Sequence, residues 1–85
     1  PGGKPFVLQL CSSDPHRPLD RDAIPHPHDP AKLTLPPHYP DTPGVRADFA
    51  RYYDEIARFD AAFGTVLAEL ESRGLAEKTI VLFMG

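Results

Sequence analysis

Proline placement constrains the fold of this chain more than any other feature of its sequence. Eleven of the 85 residues are prolines, and nine of these lie between Pro15 and Pro43. Because proline has no backbone N–H and a fixed φ, this part of the chain cannot form a regular helix or a central strand. A structureless connection of roughly thirty residues is uncommon in a compact domain and is usually functional. We therefore predict that residues 13–44 form a functional loop held over other parts of the protein.

Two short apolar segments flank this loop and the region that follows it. Residues 6–11 form one nearly continuous apolar run, and residues 79–84 form a second run that begins with β-branched side chains. Such runs are typical of strands that are buried on both faces of a parallel sheet. The predicted fold class is α/β, a β-loop-α-β piece of a larger sheet sandwiched by helices, with its other strands outside this chain. Cys11 is expected to be a small buried hydrophobic residue.

A long helix is predicted between the loop and the second apolar run, with its body at residues 45–73. Thr42 can cap the first turn, Pro43 suits the first helical position, and Gly74 is a typical left-handed residue after the last turn. Apolar residues recur in this segment at steps of three and four, which predicts one stripe facing a core. The members of this stripe are Phe49, Tyr52, Ile56, Phe59, Phe63, Val66 and Leu70.

Polar and small residues of the same helix carry further predictions. Three pairs of opposite charge are spaced four residues apart: Arg51/Glu55, Asp54/Arg58 and Glu69/Arg73. We interpret these pairs as a solvated surface, since each stabilises a helix by only a few tenths of a kcal/mol. Asp60 lies beside the apolar stripe and should have a partner, because burying a bare carboxylate is costly. Gly64 costs about 1 kcal/mol against alanine in a helix, which predicts a close approach of another element.

Charge and composition exclude several classes of protein. The net charge of −3 provides no basic surface for nucleic acid, and no block of like charges indicates a membrane surface. A single cysteine excludes an internal disulfide. His26, His28 and Asp29 could form a metal clip, but their spacing matches no common metal motif, and a solvated loop is the favoured interpretation. Phosphate-binding glycine loops, zinc-protease motifs and nucleophile elbows do not occur in the sequence.

The segment Ser13-Asp14-Pro15-His16-Arg17-Pro18 carries the candidate site. It follows the first predicted strand, and open α/β sheets place ligand chemistry beyond the carboxyl ends of their strands. Prolines on both sides restrict the backbone of His16 and Arg17, a cationic pair suited to an oxyanion. The alternative is a surface loop whose histidine hydrogen-bonds nearby backbone. Such a pair can bind an anion and assist proton transfer, but it cannot cleave a bond without a nucleophile or a metal.

Short motifs follow one another in a characteristic order along almost the whole chain. They are Lys4-Pro5-Phe6-Val7-Leu8, Asp14-Pro15-His16-Arg17-Pro18, Leu35-Pro36-Pro37, Pro40-Asp41-Thr42-Pro43, Arg46-Ala47-Asp48, Tyr53, Arg58-Phe59-Asp60, Gly64 and Thr79-Ile80-Val81-Leu82-Phe83. In this order they resemble the central part of a sulfatase of the alkaline phosphatase superfamily, most nearly of the heparan N-sulfatase (sulfamidase) branch. The resemblance implies that residues 1–85 are an internal piece of a catalytic domain, with residues 13–44 as its active-site loop.

The activity implied by this resemblance is hydrolysis of a sulfuric ester or a sulfamate on a sulfated small molecule or glycan. His16 would be the catalytic and substrate-binding residue that contacts the sulfuryl oxygens. Arg17 would lie beside it as a second substrate-binding residue, facing the sulfated sugar or a neighbouring carboxylate. The resemblance also implies an exported or lysosomal protein, and a chain that works only together with the remainder of its catalytic domain.

Two cofactors of the family would come from outside this chain. The resemblance implies a Ca²⁺ ion and a formylglycine nucleophile made from the cysteine or serine of a Cys/Ser-x-Pro-x-Arg signature. Residues 13–17 fit Ser-x-Pro-x-Arg formally, but their neighbours and their distance from the last apolar run match the family's separate histidine segment. We therefore expect no metal ligand and no nucleophile here, and no activity from this piece alone. A phosphodiesterase or phosphonate hydrolase of the same superfamily, or a non-catalytic module that binds anions or glycans, remains an alternative.

Overall fold

The computed structural model describes residues 3–19 and 24–84, and one long helix dominates it. Helix α1 spans Pro43–Ser72. Two single 3₁₀ turns accompany it, Pro30–Lys32 before the helix and Ala76–Lys78 after it. The radius of gyration is 17.1 Å, whereas a compact domain of this length would have about 12 Å. The chain is therefore elongated and packs along the helix instead of around a central core.

Both ends of α1 are built by local chemistry and lie where the sequence predicts them. The Thr42 side chain accepts a hydrogen bond from the Val45 amide at 3.2 Å, and Pro43 occupies the first helical position. At the other end Gly74 has a φ of +69°, a left-handed conformation that glycine adopts without a Cβ clash. The Leu75 amide then bonds the Leu70 carbonyl at 2.9 Å, which completes a Schellman cap. The predicted helix is confirmed.

The predicted β-loop-α-β architecture is wrong for this chain. No strand occurs within residues 3–19 and 24–84, and both apolar runs are extended segments without a sheet ladder. Val7 is fully exposed and Ile80 is 88% exposed. Cys11, predicted to be buried in the first run, is exposed as well. An apolar run indicates a preference for burial, but a strand also needs a neighbour that accepts and donates its backbone hydrogen bonds, and these segments have no such neighbour in the described residues.

The predicted core-facing stripe of α1 does not face a core. Tyr52 and Ile56 are exposed, and the five other members of the stripe are half-buried. One contact agrees with the prediction of packing there, because the Phe83 ring lies 5.7 Å from Phe59 and 5.3 Å from Phe63. Apart from one alanine, the buried residues of the helix are charged: Asp54 and Glu55 are 2% and 1% exposed. The proline-rich loop covers this charged side of the helix, and that is why its residues are buried.

Two further predictions for α1 are wrong because the loop covers only its first half. A Cβ added at Gly64 would meet no atom within 4 Å, so no element of the described residues approaches the helix closely there. Asp60 is exposed to solvent and does not need the partner predicted for a buried carboxylate. None of the helices in the described part of the chain has the length and apolarity needed to cross a membrane.

Candidate functional site

The turn that contains His16 is attached to α1 at its backbone and at a flanking side chain. The backbone amide of His16 donates to the Glu55 carboxyl at 3.1 Å. Two residues earlier, Asp14 accepts from the Nε and Nη2 atoms of Arg58 at 2.7 and 2.6 Å. Both helix residues come from adjacent turns of one side of α1, so the histidine turn is docked on a regular scaffold.

The imidazole of His16 has a defined tautomer. Its Nδ1 atom lies 2.6 Å from the carbonyl oxygen of Arg17. Because a carbonyl oxygen only accepts hydrogen bonds, Nδ1 must carry the proton. Nε2 is then the proton acceptor of the neutral ring and a donor when the ring is protonated. The His16 side chain is exposed, and this leaves Nε2 for a group that comes from outside the described residues.

Arg17 faces a neighbouring carboxylate. Its Nη1 donates to Asp48 of α1 at 3.0 Å, and its Nη2 contacts the second oxygen of the same carboxylate. The hydrogen bonds from Arg17, together with its positive charge, hold the pKa of Asp48 below the ordinary value, against a smaller opposing effect of desolvation. The same contact raises the pKa of Arg17. Arg17 therefore adds positive charge to the turn, but both terminal nitrogens of its guanidinium are already hydrogen-bonded to Asp48.

Asp14 is an ionised residue of the site at neutral pH. The hydrogen bond from Arg58 is the largest influence and lowers the pKa of Asp14, desolvation opposes it, and the charge of Arg58 and a hydrogen bond with Glu55 add to the lowering. A guanidinium that binds both oxygens of a carboxylate restrains the orientation of that carboxylate and also compensates its charge. The negative charge next to the His16 turn is thus compensated by a fixed positive charge.

A second histidine of the loop is also held by α1. The backbone amide and the Nδ1 atom of His28 both lie close to one carboxyl oxygen of Asp54, at 2.8 and 2.6 Å. The Tyr53 ring lies 6.0 Å from the imidazole. His26, His28 and Asp29 are all exposed, in agreement with the favoured prediction of a solvated loop, and His28 in addition docks this part of the loop on the helix. In the described residues no group of three or more histidine, cysteine or acidic side chains could hold a metal ion, and His26, His28 and Asp29 form no such group.

The last part of the loop is anchored by Arg46, in the first turn of α1. Its guanidinium donates to both oxygens of Asp41 at 2.5 and 2.9 Å. It also donates to the carbonyl oxygens of Pro30 and Leu33 at 3.0 and 2.9 Å. The Tyr39 ring adds an edge contact with Phe49 at 4.9 Å. Arg46 therefore ties together three separate points of the proline-rich loop.

The sequence interpretation missed the residues that dock the loop. Asp54, Glu55 and Arg58 were assigned to a solvated helix surface, whereas all three bind loop residues. Of the three predicted helix pairs, Glu69 and Arg73 do interact within the helix, at 2.6 Å. A signal was present in the charges: Asp14 and Arg17 of the loop are opposite in charge to Arg58 and Asp48, which occur in the reverse order along α1. Complementary charges in reverse order predict an antiparallel docking.

Comparison with known proteins decides the family. The sulfatase family profile matches residues 1–85, the whole chain. The chain belongs to the sulfatase family. Human N-sulphoglucosamine sulphohydrolase is 39% identical to this sulfatase chain over 62 residues, which are 73% of the chain and 12% of the human protein. The ulvan-active sulfatase of Formosa agariphila is 41% identical over 54 residues, which are 64% of the chain and 9% of that protein. No solved structure matches the chain.

These relatives confirm the family resemblance that the motifs indicate. The alignments span only about a tenth of each curated sulfatase, 12% and 9% of their lengths. In this sulfatase chain the described residues lack a group that could hold a metal ion. His16 lies on a turn whose charged side chains Asp14 and Arg17 are already paired, and its Nε2 is a nitrogen that can exchange a proton.

Proposed function

We propose that residues 1–85 are the central part of a sulfatase catalytic domain that hydrolyses a sulfate ester or sulfamate on a sulfated carbohydrate. The sulfatase family supports the reaction class, and the two relatives, an N-sulphoglucosamine sulphohydrolase and an ulvan-active sulfatase, support sulfated sugars as the substrate class. The observation that carries the proposal is the tautomer of His16. With Nδ1 bound to the Arg17 carbonyl at 2.6 Å, Nε2 is the nitrogen that meets the sulfuryl group.

His16 has two tasks in this proposal. In its protonated form, Nε2–H donates a hydrogen bond to a sulfuryl oxygen as negative charge develops there. The same proton can pass to the bridging atom, the ester oxygen or the sulfamate nitrogen, as the bond from that atom to sulfur breaks. The leaving alcohol or amine then departs neutral. A carbonyl bond on Nδ1 suits both tasks, because it fixes the ring while it leaves Nε2 to exchange the proton.

Arg17 contributes to substrate binding through its charge in this proposal. Both terminal nitrogens of its guanidinium already donate to Asp48, so Arg17 cannot use this pair of nitrogens to bind a sulfate group while the ion pair is intact. Because the Arg17 side chain is 71% exposed, its remaining N–H can still meet a sugar hydroxyl or sulfate at the surface. We expect Arg17 to contribute less to turnover than His16.

Calcium and formylglycine belong to the same proposal, but the described residues do not fit the metal ion. They form no cluster that could hold a metal ion. When bound, the ion would supply positive charge and the formylglycine would supply the nucleophile. Both would be provided by residues outside this chain, so the isolated segment is expected to release no sulfate.

Replacement of His16 in the full-length protein tests the proposed function. We expect His16→Ala to lower kcat for sulfate release by about a hundredfold or more, since that is the scale of a lost proton donor or oxyanion donor. The assay uses N-sulfoglucosamine and an aryl sulfate ester as substrates and follows free sulfate. A phosphate diester serves as a third substrate, and its preferential hydrolysis would contradict a sulfatase.

His38→Ala is the matched control for this experiment. His38 is an exposed histidine of the same loop whose ring lies 4.7 Å from Tyr39, away from the residues that hold His16. Its replacement should leave kcat within about twofold, as for surface substitutions in general. Equal turnover of the His16→Ala variant and the unmodified protein would show that His16 has no role in the chemistry.

A further inference from the structure

We propose that Glu55 and Arg58 of α1 are positioning residues that set the place of the His16 imidazole. This inference rests on the proposed function of His16 and deepens it. Neither residue would touch the substrate. Glu55 binds the backbone amide of His16, and Arg58 binds Asp14, two residues before it. Together they fix the position of the histidine turn relative to the helix.

The first support is the double contact between Arg58 and Asp14. Two guanidinium nitrogens bind two carboxylate oxygens at 2.7 and 2.6 Å, a fork-to-fork arrangement. A bidentate pair restrains rotation as well as distance, which a single hydrogen bond or a lysine ammonium would not do. Asp14 lies two residues before His16, so its orientation sets the direction in which the chain enters the histidine turn.

The second support is the contact of Glu55 with His16 itself. The Glu55 residue is 1% exposed, and its carboxyl accepts the His16 backbone amide at 3.1 Å. A buried acceptor cannot swing away into water, so it holds the amide at one place on the helix. Because Glu55 and Arg58 are three residues apart, they lie on neighbouring turns of the same side of α1.

The third support is that hydrogen bonds to α1 hold the chain on both sides of the His16 ring. His16 is exposed, so apolar packing does not fix its ring. The ring is oriented by the 2.6 Å contact with the Arg17 carbonyl, and Arg17 is attached through its side chain to Asp48, two turns before Glu55 on α1. Hydrogen bonds to one helix therefore define the backbone on both sides of the ring. A misplacement of about 1 Å can lower catalysis by a hundredfold.

Arg58 has an electrostatic role that reinforces its geometric one. It keeps Asp14 paired, and its hydrogen bond is the first cause of the lowered pKa of that carboxyl. Without Arg58, an uncompensated carboxylate would lie beside a site that receives an anionic sulfuryl group. Loss of Arg58 should therefore weaken substrate binding and also misplace the imidazole. A variant at position 58 that keeps the positive charge should separate the electrostatic effect from the geometric one.

The test is a double-mutant cycle in the full-length protein. We expect Arg58→Gln to lower kcat for sulfate release from N-sulfoglucosamine by about 10- to 100-fold in the presence of His16. In the His16→Ala background the same substitution should lower kcat by less than about threefold, because there is no imidazole left to position. Arg58→Lys keeps the charge and loses the fork, so KM should stay near the original value while kcat falls.

Matched variants keep the inference falsifiable. Arg73→Gln removes the arginine that follows the same helix, whose partner Glu69 binds no loop residue in the described part of the chain, and it should leave kcat unchanged. If Arg58→Gln does not fold, Asp14→Asn breaks the same fork from the loop side and takes its place in the cycle. Equal losses of kcat with and without His16 would overturn the positioning role. No loss in His16→Ala alone would instead refute the proposed function.

Discussion

Replacing Asp54 with alanine should release the part of the loop around His28 from α1, while Arg46 still holds Pro30 and Leu33. Asp54 is a buried carboxyl that accepts two hydrogen bonds from His28, one from the backbone amide at 2.8 Å and one from Nδ1 at 2.6 Å. No other residue pair in the described chain joins this segment to the middle of the helix through a buried side chain. The substitution removes the oxygen that accepts both hydrogen bonds and leaves the helix backbone intact.

The magnitude follows from the exposure of the two donors. Hydrogen bonds to a charged acceptor contribute about 1.5–3 kcal/mol each, so the pair sets an upper limit of about 3–6 kcal/mol. The His28 side chain is 40% exposed, and its Nδ1 therefore regains a water partner when Asp54 is removed. Alanine also has a helix propensity better than aspartate by up to about 0.7 kcal/mol. The expected net loss of local stability is about 2 kcal/mol, or about a thirtyfold change in the opening equilibrium.

Hydrogen exchange of the full-length protein measures this loss directly. The amide of His28 is itself one of the two donors, so its protection factor reports local opening of the loop. We expect the protection of the His28 amide to fall by about thirtyfold in Asp54→Ala, from the energies above. Asp54→Asn keeps an oxygen that can accept the backbone amide, and it should show about half of the free-energy change.

Glu71→Gln is the control for the same measurement. Glu71 is an exposed acid near the end of α1, and its side chain has no partner among the described residues. Its replacement should leave exchange in the loop unchanged. If protection of the His28 amide in Asp54→Ala stayed within about twofold of the original protein, the two hydrogen bonds would not hold the loop, and the docking described above would be refuted.

Two further predictions concern pH and a backbone conformation. Arginine hydrogen bonds lower the pKa values of Asp14, Asp41 and Asp48 from an ordinary value of 3.8, so docking of the loop should be complete above that value and lost as the pH falls through the lower, folded-state values. Protection factors of residues 13–19 measured between about pH 6 and pH 2 check this, and constant protection would contradict it. Gly74→Ala should destabilise the end of α1 by about 1–2 kcal/mol, because alanine at a φ of +69° is strained. Faster exchange of the Leu75 amide would report that loss, and unchanged exchange would argue against the left-handed cap.

The ends of α1 could be predicted because their chemistry is local. Thr42 caps an amide three residues away, and Gly74 adopts its left-handed conformation within the next turn of the chain. The family could be predicted for a related reason, since motif order along the chain requires no knowledge of contacts. His16 and Arg17 are predicted as site residues in the same way, as members of one short segment.

The partners of the charged helix residues could not be predicted from spacing. Arg58 could pair with Asp54 four residues before it, at a few tenths of a kcal/mol, or with a carboxylate on a distant loop. In the structure it binds Asp14, which is 44 residues away in sequence, and Glu55 binds the amide of His16, which is 39 residues away. Periodicity along a helix contains no information on which distant segment will cover it.

The sequence by itself determined a long capped helix, an irregular proline-rich loop and membership of the sulfatase family. The tertiary structure alone decided that the loop lies on the charged side of α1, and that Asp54, Glu55 and Arg58 hold it there. It also decided that residues 6–11 and 79–84 are not strands in this chain. The physical reason is that caps and proline effects act within a few residues, whereas sheet ladders and loop docking require particular groups to meet across long separations in sequence.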